Sequence, residues 1–296
     1  MLNIVKTRNI WFVISSLVVL AGIAAIVVYG LRLGIDFRGG ALAEVRFVNK
    51  TTEAPEVQDA INSLNLGGAL VQKTEQNTFN LRLPELTQEQ HDDLLQKLGE
   101  KFDGVEELGF RNIGPTISKE ITRRAFYQLI MVSLGILAYI AWAFRRVPKP
   151  LSSWRFGWAA IIALIHDLLV VVGVFAILGR IINVELDALF VTALLTVLGF
   201  SVHDTIVVFD RIRENLRRSS AEFSSLVNAS INETLVRSIN TSSTVVFVLL
   251  ALLLFGGETI KFFVLALLVG IVAGTYSSIF IASPLLYVFH RKRLEV

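Results

Sequence analysis

The sequence predicts a mainly α-helical integral membrane protein: six membrane-spanning helices, with an α+β domain inserted between the first and the second. Three observations carry this prediction. Of 296 residues, 53% are hydrophobic and 18% charged, too little polar surface for a soluble chain of this length. Six apolar runs, each near the length that crosses a bilayer core, recur along the chain. The stretch between the first two runs instead alternates strand-like and helix-like patterns.

The first apolar run, 10–31, follows Lys6 and Arg8. It is too long for a signal-peptide core and lacks a small-x-small cleavage site, so residues 1–31 read as a cytoplasmic N-terminus and an uncleaved first helix. Residues 32–122 read as an extracytoplasmic domain of strand (41–48), helix (55–66), strands (69–73 and 78–83), helix (88–102) and strand (105–112). The alternation Ala43-Glu44-Val45-Arg46-Phe47 fits a half-buried strand, and the spacing of Leu94, Leu95 and Leu98 fits an amphipathic helix. The order βαββαβ is the ferredoxin-like split βαβ arrangement. Its one histidine, His91, is expected on a solvated helix surface, which leaves the domain poor in catalytic groups.

Residues 123–289 carry the remaining spans, at 125–144, 156–178, 188–209, 237–256 and 262–289. Near 219–235, Phe223, Leu226, Val227 and Ile231 share one helical face, so a short amphipathic helix is expected, either along the cytoplasmic surface or packed on the protein. A basic tail, 290–296, ends the chain. Lys6 and Arg8, then Arg145, Arg146, Lys149 and Arg155, then Arg211, Arg213, Arg217 and Arg218, then Arg291, Lys292 and Arg293 fall on one side. The opposite short loops hold Arg180 and Lys261, and this asymmetry places both termini in the cytoplasm. The absence of cysteine excludes disulfides and thiolate metal sites.

Asp204 is the most informative residue, because a carboxylate at a helix centre in the bilayer costs roughly 2.5–3.5 kcal/mol on insertion scales. It is expected to face a partner group or an aqueous path. On the same span Thr192, Thr196, Gly199 and His203 recur at helical spacing beside Ser201 and Asp204, a polar arc expected to face protein rather than lipid. The fifth span opens with Arg237, Asn240, Thr241 and Thr244 on one face. Arg237 either switches Asp204 between charge states by approach and withdrawal, or reaches out to cytoplasmic headgroups. His166 and Asp167 lie roughly 15 Å into the third span at 1.5 Å per residue. Asp167, His203 and Asp204 form a candidate proton or ion relay, with hydroxyls from Ser201 and Thr205 able to host H⁺ or Na⁺. Gly270 and Gly274 form a GxxxG helix-packing face, and Pro284 is expected to kink the last helix.

Gly34-Ile35-Asp36-Phe37-Arg38-Gly39-Gly40, Ser201-Val202-His203-Asp204-Thr205-Ile206-Val207-Val208-Phe209-Asp210-Arg211-Ile212-Arg213-Glu214-Asn215, Leu235-Val236-Arg237-Ser238-Ile239-Asn240-Thr241-Ser242 and Leu253-Leu254-Phe255-Gly256-Gly257 together resemble the SecF family. SecF is the smaller subunit of the SecD/SecF accessory pair of bacterial protein translocation. The resemblance spans essentially the whole chain. It implies a six-span half of an RND-type fold and a multi-pass protein of the bacterial cytoplasmic (inner) membrane. It implies use of the proton motive force to assist late preprotein export, with Asp204 and Arg237 at the coupling site. The implied partners are a SecD-like subunit, the Sec translocation channel and motor, unfolded preproteins and membrane lipids, but no nucleic acid. The implied protein is not an enzyme, has no cofactor, and couples to H⁺, with Na⁺ the alternative ion. One departure is His203, where the family commonly has asparagine; the imidazole either shifts the working pH or fills the same space as a neutral hydrogen-bonding group. A half-size RND-like small-molecule exporter is one rival. An intramembrane aspartyl protease built on Asp167 and Asp204 is another, disfavoured because Gly199-Phe200-Ser201-Val202-His203 precedes Asp204 instead of Gly-x-Gly.

Overall fold

The computed structural model describes residues 3–291, apart from 50, 65, 67, 76, 149, 150 and 220. Lys149 and, from the expected basic tail, Lys292 and Arg293 lie outside the described residues. The chain divides into two compact units, residues 33–125 and residues 1–32 with 126–296.

The smaller unit runs α2 (Ile35–Arg38), β1 (Gly40–Phe47), α3 (Ala54–Asn62), β2 (Leu70–Glu75), β3 (Thr78–Leu83), α4 (Gln88–Phe102) and β4 (Val105–Ile113). The sheet order is β2-β3-β1-β4 with every pair antiparallel, the ferredoxin-like topology. The register Ala41↔Leu83, Ala43↔Leu81 and Val45↔Phe79 places these side chains on one face. There they are buried with Val57 and Ile61 of α3 and with Leu94, Leu98 and Phe102 of α4. Gly40 starts β1 at φ 122°, and a Cβ there would sit 2.7 Å from the Leu83 carbonyl oxygen, so both backbone conformation and space demand glycine. Thr87 and Gln90 close a capping box at the start of α4.

His91 departs from its expected solvated position. It is 7% exposed, its ring lies 3.9 Å from that of Phe110, and Nε2 is 2.8 Å from Glu107 Oε1. The reason lies in helical spacing: positions 91, 94, 98 and 102 form one stripe of α4, and the whole stripe faces the sheet.

The larger unit contains α1 (Arg8–Tyr29), α5 (Pro115–Ala143) from residue 126 onward, α6 (Ser153–Ile181), α7 (Ala188–Arg218), α8 (Phe223–Phe255), α9 (Glu258–Ser277), a π-helical turn (Ser278–Ala282) and α10 (Ser283–Arg291). The six apolar runs expected from sequence lie on six helices long and apolar enough to cross a membrane, the last formed by α9, the π turn and α10. α5 begins at Pro115, inside the stretch expected to belong to the domain, because neither glycine nor proline interrupts 116–122.

Residues 223–235 are not a separate amphipathic helix. They form the first turns of α8, which continues unbroken because no glycine or proline intervenes. Their apolar face, Leu226, Val227 and Ile231, is buried in the same core as Val208, Phe209 and Ile212 of α7. The kink expected at Pro284 takes the form of the π turn. Proline lacks the N–H its helix would use and its ring crowds the carbonyl four residues back, so the preceding backbone widens. Ser283 Oγ donates to the Ser278 carbonyl, five residues back, at 2.8 Å.

Candidate ion site in the membrane helices

α7 presents two carboxylate-bearing surroundings, one shared with α6 and α9, the other with α8 and α9. On the first side Asp167 of α6 is fully buried. Its Oδ2 accepts hydrogen bonds from Ser201 Oγ of α7 at 2.6 Å and Ser277 Oγ of α9 at 2.8 Å, and His166 Nδ1 lies 2.9 Å from Oδ1. One turn further along, the Thr205 and Ser278 hydroxyls lie 2.8 Å apart, and both also bond the Ser201 carbonyl. This carboxyl group is held by three neighbours from three helical positions, and moving any of those helices breaks bonds.

Asp204 on the second side is 1% exposed. Ser242 Oγ of α8 donates to its Oδ2 at 3.3 Å, and Thr275 Oγ1 of α9 donates to Ser242 Oγ at 2.6 Å. Ser238, one turn before Ser242, faces the same carboxyl group, yet its buried Oγ closes no hydrogen bond. Asp204 is therefore as buried as Asp167, and the hydroxyls of Thr275, Ser242 and Ser238 all turn toward it, but its one close contact, at 3.3 Å, is longer than either hydroxyl contact to Asp167. A carboxylate has about four lone-pair sites, so capacity for a proton or a cation remains.

Arg237 is exposed and lines a cavity of about 400 Å³ with Val207, Asp210, Arg211, Glu214, Glu233 and Thr234. No ion pair joins it to Asp204 among the described residues, so the expected Asp204/Arg237 contact is not formed in this conformation. Arg211 pairs with Glu214 and Glu233, and Arg213 pairs with Asp210. The expected three-member relay is also not assembled. Asp167 and Asp204 bond to different hydroxyl sets; His203 is exposed and hydrogen-bonds to neither, though it lies near enough to Asp204 for their charges to interact.

The polar arc of α7 divides the same way. Ser201, Asp204 and Thr205 face protein, whereas Thr192, Thr196, Gly199 and His203 face outward. Gly199 has nothing within 4 Å of a Cβ position, so it makes no packing contact inside this chain, contrary to expectation. Gly270 and Gly274 do lie against α7: added Cβ atoms would come 2.2 Å from Val197 Cγ2 and 2.8 Å from Ser201 Cβ. On α8, Asn240 and Thr244 point outward with Arg237, while Thr241 is half-buried. Sequence reasoning missed Ser238, Ser242 and Thr275. The repeat Thr234, Ser238, Ser242 at four-residue spacing was the available signal, overshadowed by the neighbouring Arg237 stripe.

The comparisons with known proteins agree with this architecture. Residues 94–292 match the family described as "Protein export membrane protein SecD/SecF, C-terminal", and residues 24–50 match the "SecD/SecF GG Motif". The protein translocase subunit SecF of Thermobaculum terrenum is 50% identical, over 99% of this chain and 95% of its own length. That of Anaerolinea thermophila is 45% identical, over 98% and 94%. The crystal structure of SecDF, a translocon-associated membrane protein from Thermus thermophilus, superposes with a TM-score of 0.84 at 32% identity. The match covers 98% of this chain and 39% of that longer one. Six membrane helices of half an RND-type fold, the ferredoxin-like insertion and the full-length matches establish that this chain belongs to the SecF family of protein translocase subunits.

Proposed function

We propose that this chain is the SecF half of a proton-motive-force-driven accessory to the Sec translocase, acting late in preprotein export across the bacterial cytoplasmic membrane, with both termini in the cytoplasm. The observation that carries the reading is Asp204, a buried carboxyl group with spare acceptor capacity between helices. Binding a proton there removes the demand for donors from Ser242, and through it Thr275, so occupancy biases how α7, α8 and α9 pack. The domain following α1 responds to that repacking and draws the emerging polypeptide outward. One charge crossing the membrane gains about 2.3 kcal/mol per 100 mV, enough to bias a rearrangement but not to unfold a stable client domain in one step. A SecD-like subunit supplies the other six-span half, and the complex works beside the translocation channel and its motor.

Asp204→Asn keeps size and hydrogen bonding but cannot cycle a proton. Gradient-dependent stimulation of export in vesicles is expected to vanish, while insertion and pairing with the SecD-like subunit persist. Unchanged stimulation overturns the reading. Separate imposition of H⁺ and Na⁺ gradients assigns the coupling ion; stimulation by the sodium gradient alone replaces H⁺ with Na⁺.

A further inference from the structure

Asp204 is walled from solvent, so a proton leaving it requires a path. The cavity between α7 and α8 offers polar space at one end of that path: Thr234 lines it, together with Asp210, Glu214 and Glu233. Thr234, Ser238 and Ser242 follow at four-residue intervals on one face of α8, all three buried, and Ser242 donates to Asp204. Consecutive hydroxyls on this ladder are about 6 Å apart along the helix axis, from 1.5 Å per residue, too far for direct hydroxyl-to-hydroxyl transfer. A bridging water in each interval closes the gap. Ser238, the middle rung, is the one with a buried and unsatisfied Oγ. Leaving a buried hydroxyl unpaired is costly, and polar sites with such groups are where proteins hold internal water.

We propose that Ser238 holds a water that completes a one-sided proton route from Asp204, which Ser238 faces, to the charged cavity by way of Thr234; the route rests on the coupling role of Asp204 given above. The water at Ser238 accepts the proton released by the Asp204 carboxyl O–H and passes one of its own toward the Thr234 hydroxyl and the water beside it. The proton leaves into the cavity as hydronium, Asp204 remaining as carboxylate. Each oxygen gains one proton and loses one, so no other reactant is consumed. Asp210, Glu214, Glu233, Arg211 and Arg237 make the cavity wall polar enough to hold water at the mouth of the route.

The sequence contains no cysteine, so Ser238→Cys introduces the chain's sole thiol. In vesicles carrying the complex with its SecD-like partner, a charged, membrane-impermeant methanethiosulfonate is applied to each face in turn. Only a hydrated thiolate reacts, so labelling at position 238 is expected about tenfold faster from the cavity face than from the other face, and about tenfold faster than in Ser277→Cys. Ser238→Val fills the water space and is expected to slow gradient-driven proton flux about tenfold, whereas Ser238→Thr keeps the hydroxyl and the flux. A thiol inert from the cavity face, or equally reactive from both, overturns the route, as does unimpaired flux in Ser238→Val. If Asp204→Asn abolishes coupling while position 238 is inert, this route fails and the coupling role stands. If Asp204→Asn leaves coupling intact, the coupling role itself fails.

Discussion

Two aspartates of near-identical burial hold opposite positions in the chemistry because of what surrounds them. Asp167 has its oxygens engaged at 2.6–2.9 Å by Ser201, Ser277 and His166, whereas Asp204 is faced by Ser242, Thr275 and Ser238 with its one close contact, from Ser242, at 3.3 Å. The first arrangement fixes helices to one another; the second is the one the proposed coupling role uses. Ser277→Ala removes one of the two hydrogen bonds to Asp167 Oδ2, leaving that of Ser201, and is expected to destabilise the protein by about 0.5–1.5 kcal/mol, the net worth of one hydrogen bond, seen as a lower melting temperature in detergent. The same variant is expected to retain gradient-stimulated export at permissive temperature. A melting temperature equal to that of the parent protein would contradict the structural role of Asp167. Single residues were the least legible scale in the sequence. Asp204 stood out because an intramembrane carboxylate is costly whatever surrounds it. Its hydroxyl partners on α8 and α9 did not, since serine and threonine are ordinary in membrane helices and only the fold shows which of them meet.

At the scale of elements the sequence was far more informative, and its failures have identifiable causes. Helix positions followed from apolar runs, and the strand alternation in Ala43–Phe47 reappears as the buried face of β1. What apolar length cannot reveal is where a helix continues past the apolar run, which is why the turns 223–235 merge into α8. Glycine contacts illustrate the same boundary. Gly270 and Gly274 were legible as a GxxxG pair, but Gly22 of α1 and Gly173 of α6 also bring two helix backbones together, and neither lies in such a motif. A Cβ on Gly173 would come 2.5 Å from Gly22 Cα, backbone against backbone. Gly173→Ala must push α1 and α6 apart, and a cost of about 1–3 kcal/mol is expected from overpacking. Thermal unfolding of the isolated chain checks this, and Gly199→Ala, with open space around it within the chain, serves as the unaffected comparison.

For the whole molecule, the outward polar stripes are the feature that one chain alone does not explain. Thr192, Thr196, Gly199 and His203 on α7, with Arg237, Asn240 and Thr244 on α8, all face away from the remaining helices. Thr192 and Thr196 satisfy their hydroxyls on backbone carbonyls four residues back, and Arg237 borders the charged cavity, but an imidazole and a carboxamide have no comparable refuge in hydrocarbon. Small and polar residues on a membrane helix are what a second helix packs against. The SecDF homologue, in which this chain's match occupies 39% of a longer polypeptide, is consistent with a second half covering this surface. A helix of that second half packing on Gly199 is the arrangement to test, since the space around it within this chain is open. A bulky Gly199→Leu substitution is accordingly expected to leave the melting temperature of the isolated chain unchanged while cutting recovery of the SecD-like subunit in co-purification by about tenfold, the equivalent of 1.4 kcal/mol. Thr196→Cys, in a chain with no other thiol, is expected to form disulfides with cysteines introduced into the membrane helices of that partner, while Gly274→Cys, buried against Ser201, forms none. Undiminished co-purification of Gly199→Leu, with cross-links found only elsewhere, would leave the stripe facing lipid and would require another partner for His203.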